Sequence, residues 1–152
     1  MSKHVEYTDT ILADKECLIQ ALVKLGLVAT KDEVRQGQSL ILRNYYGRPD
    51  ERLTAELVVP SPHGYGDIGF KRTDGGYVPI ADHYDLGEGA YAGALDRRFG
   101  GQPGAFLRAL KREHNLASVY AEARRHKGGV VKEQVTTNKA GKTVRRLVVS
   151  WD

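Results

Sequence analysis

Two runs of β-forming residues joined by a turn that only glycine makes easily constrain this chain more than any other feature. Asp67-Ile68-Gly69-Phe70-Lys71-Arg72 and Tyr77-Val78-Pro79-Ile80-Ala81 flank Asp74-Gly75-Gly76. Glycine supplies the positive φ that a tight hairpin demands, so the two runs are predicted to pair antiparallel. Pro79 has no N–H to give to a ladder, which places the second run at a sheet edge or a bulge.

Neighbouring segments extend the hairpin. Leu53, Ala55, Leu57 and Val59 alternate with Thr54, Glu56 and Val58, the period of a half-buried strand, and Pro60 ends it. Ser39-Leu40-Ile41-Leu42 predicts a further strand, followed by a turn at Gly47-Arg48-Pro49-Asp50. His4 to Ile11 is rich in β-formers and reads as a strand. Asp14 offers its carboxylate to the N–H groups of a helix start, and Cys17, Leu18, Ala21, Leu22 and Leu25 follow at helical spacing up to Gly26. A short helix is expected over Tyr91–Phe99, and Pro103 fits the first turn of the next helix. Phe106, Leu107, Leu110, Leu116, Val119, Tyr120 and Ala123 predict one long helix, or two broken near Asn115. Val130–Thr136 and Thr143–Trp151 are expected to pair around Asn138-Lys139-Ala140-Gly141. The order β-α-β-β-β-α-β-β then predicts an α+β fold, an antiparallel or mixed sheet with two or three helices packed on one face. No repeat or low-complexity linker interrupts the chain, so residues 1–152 are expected to form a single domain.

Composition narrows the classes of function. The single cysteine, Cys17, cannot form an internal disulfide and is expected to be a small core residue. The start of the chain lacks the apolar run of a signal peptide, and no stretch nears the roughly 18 apolar residues of a membrane span, so a cytoplasmic location is expected. Charge is strongly polarised. Residues 1–96 hold 10 Lys and Arg against 15 Asp and Glu, a net of −5, whereas residues 97–152 hold 13 against 4, a net of +9. A basic half suggests an acidic protein partner or nucleic acid.

No Walker loop, dinucleotide fingerprint, nucleophile elbow or His-Glu-x-x-His pair is present. No cofactor or metal is expected. The most suggestive local stretch is Ser61-Pro62-His63-Gly64-Tyr65-Gly66-Asp67, where glycines let backbone approach a ligand and His63 and Asp67 offer base or metal-ligand chemistry. Asp82-His83 resembles the carboxylate–imidazole pairs that orient a reactive histidine, although adjacent residues of a strand face opposite ways and need not touch. A β-turn with a polar tip is the first expectation for the loop, because Gly, Pro, Asp and Ser are the ordinary residues of turns. Candidate partner or nucleic-acid contacts are Arg97, Arg98, Arg124, Arg125, Lys142, Arg145 and Arg146, with Phe99, Tyr120 and Trp151 nearby in sequence. Solvated surface charge and core aromatics explain the same residues without a ligand.

Several stretches together carry a family resemblance. They are Met1-Ser2-Lys3-His4 leading to Ile11, Ala21-Leu22-Val23-Lys24-Leu25-Gly26, and Tyr65-Gly66-Asp67-Ile68-Gly69-Phe70. Tyr77 with Ile80-Ala81-Asp82, Phe106 with Leu110, and Arg146-Leu147-Val148-Val149-Ser150-Trp151 complete the set. On these the chain resembles the hypothetical chloroplast reading frame thirty-five family, also called domain of unknown function 1257, of plastids, cyanobacteria and other bacteria. Lys3 and Gly66 look like insertions in the family pattern, the segments around Arg43–Arg52 and Leu86–Gly104 look expanded, and His114 or Asn115 stands where the pattern has an aromatic. The resemblance implies a small accessory protein and brings with it no established activity, cofactor or catalytic residue. The expected function is therefore a non-enzymatic accessory module binding a macromolecular partner. Self-association of its acidic and basic halves into a homo-oligomer is also expected to be possible. The alternatives are a nucleic-acid-binding protein using the basic C-terminal half and a small-ligand or metal-binding enzyme using the His63–Asp67 loop.

Overall fold

The hairpin that dominates the sequence is the centre of a sheet. In the computed structural model, which describes residues 3–125, 130–137 and 143–150, with side chains described for 3–125, eleven α-helices and β-strands follow one another, with a single 3-10 turn at Lys31–Glu33 between the second and third. They are β1 (His4–Glu6), α1 (Lys15–Lys24), β2 (Arg35–Arg43), β3 (Pro49–Pro60), β4 (Asp67–Thr73), β5 (Gly76–Asp82), α2 (His83–Leu86), α3 (Ala94–Arg98), α4 (Ala105–Arg125), β6 (Val130–Thr137) and β7 (Thr143–Ser150). The chain divides into two compact units, Met1–His114 and Asn115–Asp152, the boundary falling within α4.

The first unit holds a five-stranded sheet of order β1-β5-β4-β3-β2 in which every neighbouring pair is antiparallel. The fold is α+β, as its sequence predicts. The four segments read as strands between Ser39 and Ala81 are β2 to β5, one more than the order β-α-β-β-β-α-β-β counts. Asp74 and Gly75 form the tip of the second hairpin, with Thr73 opposite Gly76. Pro79 does not put β5 at the edge, since β5 lies between β4 and β1. Tyr7 N donates to Pro79 O, so the proline nitrogen faces the β1 side too, just beyond the point where the three-residue β1 stops pairing. The missing donor therefore falls where no ladder needs it.

Alternation gives the sheet two unlike faces. Leu57, Val59, Ile68, Phe70 and Ala81 point to one, where they pack with Leu18 and Leu22 of α1, Leu86 of α2, Leu95 of α3, and Phe106 and Leu110 of α4. Each large side chain fully buried there contributes about 1.5–3 kcal/mol. Four helices thus contribute to this core rather than two or three, two of them of only four and five residues. Asp14 caps α1 as expected, its carboxylate accepting from Cys17 N at 2.9 Å and held below the usual aspartate range by that bond. Cys17 is buried. The strand expected over His4–Ile11 shortens to β1, with Leu12 bridging separately to Tyr77. Helix α4 is unbroken at Asn115, and Pro103 precedes it rather than entering its first turn.

The opposite face carries a smaller cluster of Leu42, Ala55, Val58 and Ile80. It exists because the β2–β3 hairpin folds back over the sheet. The register of β2 on β3 shifts twice, between Gln36 and Leu40 and between Ile41 and Leu42. Such irregularities bend a strand pair and increase its twist. Leu42 and Ala55 come down on Gly69 of β4, where a Cβ would stand 2.8 Å from Ala55 Cβ and 2.9 Å from a Leu42 methyl. The hairpin tip is carried by this fold-back towards the loop that enters β4 and the helix that follows β5.

In the second unit β6 and β7 pair antiparallel from Val130 opposite Ser150 to Thr137 opposite Thr143. The turn expected at Asn138-Lys139-Ala140-Gly141, and Trp151, lie outside the described residues.

Candidate functional site

The tip of the β2–β3 hairpin is a tight turn built by Asn44. Its Oδ1 accepts from Tyr46 N at 3.0 Å and from Arg48 N at 3.3 Å, and its carbonyl accepts from Gly47 N at 2.9 Å. Asparagine closes such turns with its own side chain, and Gly47 takes the positive φ that follows. The turn predicted at Gly47–Asp50 therefore sits three residues earlier, and β3 begins at Pro49. Its two central residues are Tyr45 and Tyr46.

The loop before β4 and helix α2 bring rings to the same place. Tyr65 stacks on Tyr45, centroids 5.7 Å apart and planes 10° from parallel, and Tyr84 lies 5.8 Å from both. Tyr46 meets Tyr45 edge to face at 5.3 Å. His63 and His83 extend the cluster, at 6.3 Å from Tyr65 and 4.5 Å from Tyr84. Tyr45 is 37% exposed and Tyr46 76%. Arg43, Arg48 and Arg52 stand exposed on the same hairpin.

A buried carboxylate clamps the hairpin down. Asp67, 1% exposed, accepts from Arg43 N at 2.8 Å and Arg43 Nη2 at 3.0 Å, and from Arg35 Nη2 at 3.3 Å. The pairing holds the Arg43 guanidinium above its usual range, chiefly through that hydrogen bond. Next to it Gly66, at φ +81°, lies so close to the hairpin that a Cβ would stand 2.4 Å from Asn44 O. Only glycine permits this approach.

The four residues singled out for catalysis or metal binding take different partners. Asp67 is the clamp. His63 Nδ1 lies 3.3 Å from Asp85 Oδ1, and His63 N donates to Ser61 Oγ at 3.1 Å. Asp82 caps α2, Oδ1 accepting from Tyr84 N at 2.9 Å. His83 Nδ1 accepts from Lys3 N at 3.2 Å. Ser61, His63 and Asp85 do meet, but Ser61 Oγ accepts from the His63 backbone N–H while the imidazole faces Asp85, which is not the order that activates a serine. Burial pushes the Asp85 carboxyl up. Among the described residues no group of three or more His, Cys, Asp or Glu is arranged to hold a metal ion.

The cations read from the sequence are divided between the units. Arg97 and Arg98, exposed on α3, belong to the first; Arg97 Nη1 donates to Ala92 O, and Arg98 lies 6.0 Å from the Phe99 ring centre. Phe99 also packs on Phe106, as a core aromatic does. Arg124 and Arg125 are exposed at the end of α4, with Arg125 paired to Glu122 at 3.1 Å. On β7, Arg145 stands opposite Val135 and Arg146 opposite Gln134. Lys142 lies outside the described residues. Sequence reasoning missed the tyrosines, although Asn44-Tyr45-Tyr46-Gly47 is a legible turn that holds two aromatics outward.

Fold and site together define an α+β protein with a preformed aromatic and cationic surface on one sheet face. No protein-family profile, curated protein or solved structure matches the chain. No described helix is long and apolar enough to cross a membrane.

Proposed function

We propose that this is an accessory binding module that engages a protein partner through the tyrosine surface of its first unit. The observation that carries the reading is the packing of Tyr45, Tyr65 and Tyr84 beneath an outward Tyr46, with rings supplied by the β2–β3 turn, the loop before β4 and helix α2. Tyrosine and arginine dominate the energetics of protein interfaces. Tyrosine gives wide contact area for little lost side-chain entropy, and a platform already assembled loses less still on binding. The lineage implied by the resemblance, small accessory proteins without assigned chemistry, agrees with this reading and remains a proposal with it.

Peptide-display selection on the full chain, repeated on Tyr46→Ser, tests it. Peptides enriched on the parent and weakened at least tenfold by the substitution support it. No enrichment, or enrichment indifferent to Tyr46, sinks it.

Nucleic acid bound through the basic C-terminal half is the second reading, favoured by the exposure of Arg97, Arg98, Arg124 and Arg125. Titration with labelled single- and double-stranded RNA and DNA at about 50 and 200 mM salt separates the two, because several phosphate contacts make affinity steeply salt-dependent. Tight, salt-sensitive binding removed by changing Arg124, Arg125, Arg145 and Arg146 to Glu would move this reading ahead.

A further inference from the structure

Against the tyrosine turn lies a cleft of about 400 Å³, walled by Tyr45 and Tyr46, with Asp82 at its base and Asp50, Arg52 and Lys3 at its rim. We propose that this cleft takes a guanidinium group, the side chain of an arginine presented by the protein partner, with Asp82 accepting its N–H groups. The assignment rests on the reading of the tyrosine surface as the partner-binding face.

Asp82 carries the argument. It is 0% exposed, its Oδ1 is spent on capping α2, and its Oδ2 has no hydrogen-bond partner among the described residues. A buried carboxylate oxygen without a donor is a standing cost, and a charged donor entering the cleft removes it. The surroundings favour a cation over an anion. Asp85 Oδ2, also buried, is likewise without a partner among the described residues. Asp82 adds to the upward push on the Asp85 carboxyl, after burial, and Asp82, Asp85, Asp96 and Glu88 all help burial raise the Tyr7 phenol.

The cation is organic. A metal ion such as calcium wants six or more oxygen ligands. Asp50, the other carboxylate at the cleft, is already held by Arg52, Nε on Oδ1 and Nη2 on Oδ2, both at 3.2 Å. That pair also neutralises Arg52; of the other basic groups lining the cleft, His4 turns its Nε2 to the Asp67 carbonyl at 2.8 Å, and the exposed, flexible stem of Lys3 lets its ammonium swing into water. The walls select for a planar group. Tyr45 and Tyr46 meet at 88°, one ring face and one ring edge towards each other, and a guanidinium stacks on an aromatic face where an ammonium only touches it.

The test is a titration of the full chain with L-arginine amide, followed by amide and tyrosine NMR shifts, beside lysine amide and citrulline amide, the last being nearly the same shape without the charge. Arginine amide is expected to shift Tyr45, Tyr46 and Asp82 with a Kd on the order of 1 mM, lysine amide to bind at least about threefold more weakly, and citrulline amide not to bind. Asp82→Asn keeps the helix cap, since asparagine caps as well as aspartate, and is expected to weaken arginine amide at least tenfold while its Tm stays level or rises. No shift with arginine amide, equal shifts with citrulline amide, or undiminished binding by Asp82→Asn would overturn the assignment. Should Asp82→Asn fail to fold, Tyr46→Ala serves in its place: at least threefold weaker binding is expected, and unchanged binding overturns it. The selected peptides separate this claim from the one beneath it. Peptides that need Tyr46 but tolerate citrulline at every arginine remove the arginine cleft and leave the interaction surface. Arginine amide binding that needs Asp82, with no Tyr46-dependent peptide, keeps a cation cleft and removes the partner.

Discussion

The tyrosine turn and the exposed arginines of α3 and α4 are both surface features, and they are held in place very differently. Tyr45 and Tyr46 sit on a turn closed by Asn44, folded back over the sheet by Leu42 and Ala55, and clamped by Asp67. Arg97 and Arg125 bond to neighbours five and three residues away, the second to the exposed Glu122. Local pairs like these leave long side chains free to reorient, whereas the turn is fixed by groups distant in sequence. Density of charge is what the eye finds in a sequence; rigidity of presentation is what a binding surface needs.

The comparison breaks first at Gly66. Gly66→Ala puts a Cβ against the carbonyls of Asn44 and Arg43 at a positive φ, so the loop must move away from the hairpin. A loss of about 2–4 kcal/mol is expected in thermal or urea unfolding, from the backbone conformation and the forced shift together. The ring-current shifts of Tyr45 and Tyr65 should collapse with it. A stable variant with the tyrosine stack intact would mean that the loop does not hold the platform.

Asp67→Ala comes next. Removing one partner of a buried ion pair costs about 3–5 kcal/mol, and because Arg35 and Arg43 are themselves more than half exposed the expectation here is about 2–3 kcal/mol. The loss should persist at high salt, since the backbone bond from Arg43 N is lost along with the charges. A loss below 1 kcal/mol would show that Leu42 and Ala55 alone keep the hairpin down.

Asp85 sharpens the comparison through pH. Burial raises its carboxyl in the folded state, so the native chain holds that proton to higher pH than the unfolded chain does. Stability contributed at this site is therefore greatest in acid and falls as pH rises from the ordinary aspartate value through the raised one. Asp14 works in the opposite sense, its lowered carboxyl contributing stability that is lost as pH falls through its folded value. Asp85→Asn should flatten the first slope, so that the parent loses ground to the variant as pH rises above the ordinary aspartate value of about 4. Parallel pH–stability curves would mean that Asp85 is solvated in solution.

Much of the fold was legible because it follows from neighbours in sequence. The Asp74-Gly75 hairpin, the Asp14 cap, the stripe from Cys17 to Leu22 and the 105–125 helix are all local patterns. The site was not legible, because its parts are distant. Asp67 looks like a turn aspartate until Arg35 and Arg43 are seen above it, and Tyr45, Tyr65 and Tyr84 share nothing in sequence but their type. The back-folding of β2 over Gly69 depends on two register shifts that no periodicity announces. Asp82, which pattern pairs with His83, is instead the cap of α2 and the base of a cleft.

The smallest effect lies at the arginines. Arg98→Ala and Arg125→Ala, made separately, are each expected to change stability by less than about 0.5 kcal/mol, the usual range for solvated surface positions. Arg125 gives up one exposed pair to Glu122, and Arg98 a contact with Phe99 made largely in water. Both losses should vanish within error at about 1 M salt, where screening confines charge interactions to a few ångströms. A loss above 1 kcal/mol at either position that survives such salt would mean the arginine is packed rather than solvated. The cationic surface would then be as preformed as the tyrosine one, and the reading that gives the partner to the tyrosines would lose its physical ground.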